Sequence, residues 1–420
     1  MQVFKFGGAS VKDASSIKNI KSILSRYTAD SLVVVVSAMG KTTNALEKVV
    51  NAHFNNDDNA TQLLNEVKLF HDEIIANLFP VNHPVIIEVN NFFVEAEWML
   101  EEKPRSYNFL YDQIVSIGEL VSTKIISQYL LLQQMDNTWI DARGIILTDN
   151  NYRNANIDWL QTETIIVETV TSQLKKKNIV ITQGFIGGTS ENYTTTLGRE
   201  GSDYTAAIIA YCMKAHSVTI WKDVPGVLNA DPRFFDDTQK LEQISYLDAI
   251  EMTYYGATVI HPKTIKPLEN RGIPLYVKSF LQPEGAGTII GKDLNTKPFV
   301  PNLIVKTNQV LISISATDFS FIAEDNLSAI FNIFATQGIK INLMQNSAIS
   351  FSVCLDNDAI ALPTLLDALK QHFKVRYNDN LTLYTIRHYN QFTLDGLLKG
   401  KTLILEQRSR NTAQIITRPN

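Results

Sequence analysis

Leu32-Val33-Val34-Val35-Val36, followed at once by Ser37-Ala38-Met39-Gly40-Lys41-Thr42-Thr43-Asn44, decides the fold. An unbroken, mostly β-branched run is what a parallel strand buried on both faces requires. The small and polar cluster after it marks the strand's C-terminal end, where open α/β sheets gather their ligands. The pattern recurs. Val3 to Phe6 runs into Gly7-Gly8, and Asn178 to Thr182 and Ser217 to Trp221 each meet a small or polar cluster. Between them, Leu63, Leu64, Val67, Phe70, Ile74 and Leu78 recur at helical spacing, so residues 61 to 130 are expected to be mostly helical. An α/β fold with an open, mainly parallel sheet and helices on both faces is the expectation. Gly40-Lys41-Thr42 imitates the end of a phosphate-binding P-loop, but Val35 stands where that loop needs its first glycine.

Composition sets the bounds. The chain has 420 residues, enough for two or three domains. It is 45% hydrophobic and 19% charged, which argues for a folded protein over a disordered one. A net charge of -5 supplies no general basic surface for nucleic acid. Cys212 and Cys354 lie too far apart for a metal spacing or a disulfide framework, and two buried thiols are expected. Met1 leads directly into the first strand pattern. Neither a signal peptide nor a membrane span is visible, so a reducing cytoplasm is the expectation.

The texture changes after Lys297-Pro298-Phe299-Val300-Pro301, a proline-flanked linker. Strand patterns at 310–315, 339–343, 349–355 and 381–386 alternate with helical ones at 326–336 and 363–373. This β-α-β-β-α-β order predicts a small ferredoxin-like module. Residues 390–420 offer two more strands, at 402–405 and 413–417. Gly396-Leu397-Leu398-Lys399-Gly400 is read as leaving no room for a full helix.

Thr194-Thr195-Thr196-Leu197-Gly198-Arg199-Glu200-Gly201-Ser202-Asp203-Tyr204-Thr205-Ala206 carries the chemistry. It is a short polar loop opening into the apolar run Ala206 to Tyr211. A loop that opens a helix leaves N–H groups free for an anion. Arg199 suits a carboxylate and Asp203 an ammonium, a pairing built for a zwitterion such as an amino acid. Lys5 and the glycines after it suit phosphate oxygens. Glu119, in Ser116-Ile117-Gly118-Glu119, is a solvated helix residue or an ammonium partner. Gly184-Phe185-Ile186-Gly187-Gly188 lacks the dinucleotide spacing and is an anion loop or a lid. Trp221 to Val227, leading to Asp231-Pro232-Arg233, is a surface turn or a nucleotide contact. His261, before Pro262, is expected to be structural. Several glycine loops, one lysine, one arginine and few acid–base candidates point to phosphoryl transfer.

Together these segments resemble aspartate kinase, of the amino-acid kinase superfamily, from Val3 to about Ile290. The resemblance rests on Lys5-Phe6-Gly7-Gly8, Ser37 to Asn44, Ser116 to Glu119, Asp141-Ala142-Arg143, the Thr194–Ala206 loop, Trp221 to Arg233 and Gly256-Ala257-Thr258-Val259-Ile260-His261-Pro262. It implies a three-layer αβα catalytic domain over residues 1–296, an ACT-like regulatory domain over 302–388 and an abbreviated second ACT-like segment over 389–420. It implies transfer of the ATP γ-phosphate to the side-chain carboxylate of L-aspartate, with Mg²⁺ arriving on the nucleotide and no metal site in the protein. That is the first step toward lysine, threonine and methionine. By the same resemblance Lys5 and Asp203 are catalytic, and Ser37, Thr43, Glu119, Arg199 and Ser202 bind aspartate. Gly7, Gly8, Lys222, Asp223, Arg233, Thr258 and Val259 belong to the ATP side.

Asn342 and Ser347 are implied contacts for an amino-acid effector, and a homodimer is implied. The chain departs from the family pattern at Lys222, Glu200, Thr258 and Leu228, and the C-terminal departures predict weak or altered feedback. The competing reading is a catalytically weak amino-acid sensor of the same fold.

Overall fold

The computed structural model describes residues 1–103, 105–257, 260–292, 294, 299–318 and 320–419. The chain divides into two compact units. One comprises 1–227, 240–250 and 259–296; the other comprises 228–239, 251–258 and 297–420. Residues 297 and 298 of the expected linker lie outside the described residues. The stretch 228–239 groups with the C-terminal unit because Asn229 is tied to it. Its carbonyl accepts from the Leu303 N–H at 2.7 Å, and its side-chain amide donates to the Pro301 carbonyl at 3.1 Å.

The first unit is built on an eight-stranded sheet. Its strands are β1 (Gln2–Phe6), β2 (Leu32–Val36), β3 (Thr138–Ile140), β4 (Ile179–Gln183), β7 (Ser217–Lys222), β8 (Gln243–Ser245), β9 (Leu275–Ser279) and β10 (Thr288–Gly291). A separate hairpin pairs β5 (Ile186–Gly188) with β6 (Thr194–Thr196). The order is β3-β4-β2-β1-β7-β9-β10-β8, and only the β9–β10 pair is antiparallel. β2 pairs in parallel with β1 on one side and β4 on the other, and each of its five residues is fully buried. That burial explains its apolar run without alternation.

The helices of this unit are α1 (Ala14–Leu24), α2 (Thr42–Phe54), α3 (Ala60–Leu78), α4 (Val85–Glu101), α5 (Tyr107–Val115), α6 (Ile117–Leu132), α7 (Trp159–Leu174), α8 (Gly201–Met213) and α10 (Pro262–Arg271); α9 (Tyr246–Tyr254) ends in the other unit. α6 packs on β2, β3 and β4 and gathers α2, α4 and α5, whereas α8 packs on β1, β2 and β7 and gathers α7 and α10. The result is the three-layer α/β arrangement. The apolar stripe of α3 differs in one detail from the expected one. Phe70 is 37% exposed and His71, one position on, is fully buried, its Nδ1 at 2.7 Å from the Val67 carbonyl. Burial pushes the His71 imidazole down to about 4. Tyr107–Leu132 is long and apolar enough to cross a membrane, but 83% of its apolar window is buried within the protein. It is the core of this unit, broken at Ser116 into α5 and α6.

The second unit carries a six-stranded antiparallel sheet in the order β12-β13-β11-β14-β16-β15. Its elements are β11 (Asn302–Ser315), α11 (Glu324–Thr336), β12 (Leu343–Asn346), β13 (Phe351–Asp356), α12 (Ala361–Lys370), β14 (Lys374–Arg387), α13 (Gln391–Leu398), β15 (Lys401–Arg408) and β16 (Thr412–Pro419). β12, β13, the second half of β11 and the first half of β14 form a ferredoxin-like sheet under α11 and α12, as the β-α-β-β-α-β pattern predicts. The strand expected at 339–343 begins only at Leu343.

β11 and β14 are each 14 residues long and continue past the first module. Their far halves pair over Asn302–Lys306 and Leu383–Arg387, and β16 and β15 extend the sheet. The sequence gap read as too short for a helix holds α13, because Asn390 caps it by accepting from the Thr393 N–H and the helix is complete before Gly400. Ile386, Leu394, Leu397, Ala413 and Ile415 form its core. This half has four strands and one helix. The start of β11 supplies the strand that a second crossover helix would otherwise deliver. Cys212 and Cys354 are buried free thiols, as expected, and burial pushes both up to about 12.

Candidate functional site

The C-terminal ends of β1, β2, β4 and β7 face a cavity of about 490 Å³ in the first unit. Lys5, Ser37, Thr43, Glu119, Arg199, Ser202, Asp203 and Lys222 all line it. Residues from five separate segments thus converge at the edge where an α/β sheet is expected to bind its ligand.

Two helix N-termini open on this space. α8 begins at Gly201, with Ser202 and Asp203 in its first turn, and α6 brings Glu119 in its own first turn. Free N–H groups and the helix dipole make such ends favourable to anions. Close packing brings the α8 end to the β4 end. A Cβ on Gly184 would lie 2.5 Å from the Ser202 Cβ, so only glycine permits this approach. A Cβ on Gly8 would meet the Gly40 carbonyl oxygen at 2.8 Å, and the Gly40 N–H donates to the Gly8 carbonyl. The loops after β1 and β2 are therefore held backbone to backbone.

Charges are arranged unequally. The Lys5 ammonium is 2.6 Å from Asp203 Oδ1, with the two side chains 10% and 4% exposed. This is a desolvated pair at the floor of the cavity. Glu119 is 2% exposed, not the solvated residue its helical position allowed. Its Oε1 accepts from the Ala38 N–H at a long 3.4 Å, and its Oε2 has no partner among the described residues. Burial pushes its carboxyl up to about 8, against the opposing pull of the Ala38 N–H and of Lys5. Arg199 is exposed on the lining, with no ion-pair or hydrogen-bond partner among the described residues. The cavity thus offers the exposed guanidinium of Arg199, the buried Glu119 carboxyl with one oxygen lacking a donor, and the ion-paired Lys5.

Gly7 and Gly8 adjoin the site through Lys5 and the β2 loop. Asp223 is exposed beyond the end of β7 and is not among the lining residues. Arg233 lies in the other unit, where its guanidinium grips Asp231 through Nε and Nη2. Thr258 and Val259 lie outside the described residues. Asn342 and Ser347 are not brought together. The Asn342 amide accepts from Lys306 Nζ at 2.8 Å and donates to Gln309 and Asp356. Ser347 makes its contacts to Ser350 at the hairpin tip. His261 is structural, as expected: it caps α10, its ring accepting from the Lys263 N–H.

The sequence reading missed Tyr111 and Arg153, which also line the cavity. It also passed over Asp112, fully buried beneath the site. Asp112 accepts from the N–H groups of Arg153 and Thr196, both at 2.9 Å, and from the Thr196 hydroxyl at 2.7 Å. Burial pushes its carboxyl up to about 6. The one local signal was the asparagine-rich stretch around Arg153, where left-handed turns concentrate.

Comparison with known proteins follows the same lines. The model of the amino acid kinase family matches residues 1–279. Lysine-sensitive aspartokinase 3 of Escherichia coli is 30% identical over 398 residues, covering 91% of this chain and 86% of that protein. Chloroplastic aspartokinase 1 of Arabidopsis thaliana is 29% identical over 96% of this chain and 72% of its own length. The crystal structure of E. coli aspartokinase III in complex with aspartate and ADP matches with a TM-score of 0.82 at 26% identity, covering 100% of this chain and 96% of that one. The family match runs from β1 through β9, and the fold extends over both units; the chain belongs to the amino acid kinase family and has the fold of the aspartokinases.

Proposed function

We propose that this chain transfers the γ-phosphoryl group of ATP to the side-chain carboxylate of L-aspartate, giving an acyl phosphate and ADP. The observation that carries the proposal is the buried, unpartnered Glu119 Oε2 in one cavity with the exposed Arg199. An unmade hydrogen bond at a buried carboxylate is costly, and an amino acid's ammonium supplies it. Arg199 takes the α-carboxylate, helped by Ser202, and this leaves the side chain to point at Ser37, Thr43 and Lys5. Relatives named as aspartokinases support aspartate over other acidic amino acids.

In the transfer, a side-chain carboxylate oxygen of aspartate bonds to the γ-phosphorus as the bond to the bridging oxygen of ADP breaks. Little covalent help is needed, because such a reaction is governed by positioning and charge neutralisation. Lys5 meets the charge on the moving phosphoryl group, and Asp203 holds Lys5 in place. Gly7, Gly8 and the N-terminus of α8 offer close backbone approach to phosphate oxygens. Lys222, Asp223, Arg233, Thr258 and Val259 are assigned to the nucleotide by motif. Among the described residues no three His, Cys, Asp or Glu side chains are grouped to hold a metal. The donors present fit Mg²⁺ carried on the nucleotide, where it would neutralise phosphate charge. We also propose a homodimer whose C-terminal unit responds weakly to amino-acid effectors.

The test is ATP-dependent hydroxamate formation across aspartate, glutamate and acetylglutamate, with Lys5→Ala as control. Aspartate-dependent product that the substitution abolishes supports the reading. Aspartate binding without turnover by the wild-type chain would instead identify a sensor.

A further inference from the structure

We propose that Arg153 is a second cationic contact for an acidic amino acid in this cavity, beside Arg199, and that the buried Asp112 positions it. The inference rests on the acceptor reading above. It starts from backbone geometry. Arg153 has φ of 69°, in the left-handed region that non-glycine residues adopt only at a cost. Such conformations persist where the surroundings over-determine them, and they concentrate at functional sites. Here the constraint is visible: Asp112 accepts the Arg153 N–H on the same oxygen that accepts the Thr196 N–H. Thr196 also lines the cavity and leads into the Arg199 loop, so one fully buried carboxylate sets both cations relative to each other.

The side chain is held but not used up. The guanidinium carbon stands 4.3 Å from the Tyr111 ring centroid and 5.4 Å from that of Tyr107. Stacking on an aromatic face orients the group while leaving its N–H donors in plane for other acceptors. Its one ion pair among the described residues is with Glu47, Nη2 to Oε1 at 3.6 Å, a solvent-screened contact outside hydrogen-bond distance with the side chains 41% and 38% exposed. Among the described residues the guanidinium makes no hydrogen bond. An acidic amino acid has two carboxylates. With Lys5 paired to Asp203, Arg199 meets one of them and Arg153, on the same lining, is placed for the other.

The test is calorimetric titration of the full chain with L-aspartate and with its two monoamides, L-asparagine and the α-amide, for wild type, Arg153→Gly and Arg153→Lys. Arg153→Gly is expected to weaken aspartate binding roughly tenfold, the effect of losing a charged hydrogen bond at a partly exposed site. Arg153→Lys should be intermediate. The amide lacking the carboxylate that Arg153 contacts should bind wild type and Arg153→Gly equally. Glycine is at ease at this φ, so the melting temperature should not fall and misfolding does not explain a loss. Aspartate binding unchanged in Arg153→Gly, or lost equally for all three ligands, overturns the inference and leaves the acceptor reading intact. A wild-type chain that does not bind aspartate overturns both.

Discussion

If Glu119 holds the ammonium of aspartate as proposed, binding must depend on pH in a calculable way. The free carboxyl is held up to about 8 by burial. At pH 7 only about one molecule in eleven then has it ionised, and the ammonium of the ligand needs the ionised form. Apparent affinity at pH 7 should therefore be about tenfold weaker than the plateau above pH 8, and at pH 6 about a hundredfold weaker. Each mole bound at pH 7 should expel close to one proton. Titration calorimetry at pH 6, 7 and 8, in two buffers of different ionisation enthalpy, reads both quantities. Glu119→Gln removes the titration, so its profile should be flat and should approach wild type at pH 6.

Stability carries the opposite sign. The folded pKa of about 8 lies above the ordinary 4.5, so the contribution is fully present below pH 4.5 and is lost as pH rises through 8. Without ligand, Glu119→Gln should melt higher than wild type at pH 8 and match it near pH 4. A wild-type affinity that is flat from pH 6 to 8, with no proton release, would rule out a titrating Glu119 as the partner of the ligand's ammonium.

Other perturbations follow from the same geometry. Asp203→Asn leaves the Lys5 ammonium buried without its partner; about 3–5 kcal/mol of stability should be lost, with kcat down at least a hundredfold, by denaturation and steady-state assay. Glu200 has φ of 54° and its Oε2 accepts from the His261 N–H at 2.9 Å. Glu200→Ala loses that bond and keeps the strain, so denaturant titration should show about 1 kcal/mol of destabilisation, whereas Glu200→Gly should fall within about 0.5 kcal/mol of wild type. Millimolar lysine or threonine should inhibit only weakly in a steady-state assay, since the Asn342 amide is already bonded to Lys306, Gln309 and Asp356; potent inhibition would overturn that expectation.

The parallel core was legible in the sequence, because a strand buried on both faces has to be apolar throughout, as β2 is. So were the ferredoxin-like module and the segments that carry Lys5, Glu119, Arg199 and Asp203, since periodicity and turn chemistry are local properties. Tertiary structure alone decided what those residues experience. Glu119 reads as an ordinary helix residue until α6 is packed against the β2 loop, which buries its carboxyl and gives Oε1 the Ala38 N–H while Oε2 has no partner among the described residues. Lys5 and Asp203 are 198 positions apart, counting from 5 to 203, yet their atoms lie 2.6 Å apart. Arg153 lines the cavity with its backbone N–H bonded to Asp112, 41 positions earlier, a contact no local pattern records. The far halves of β11 and β14 show the same limit: which strand completes a sheet depends on long-range pairing, and no local pattern records it. Burial and charge pairing arise between distant segments, and the chemistry of this cavity is made of them.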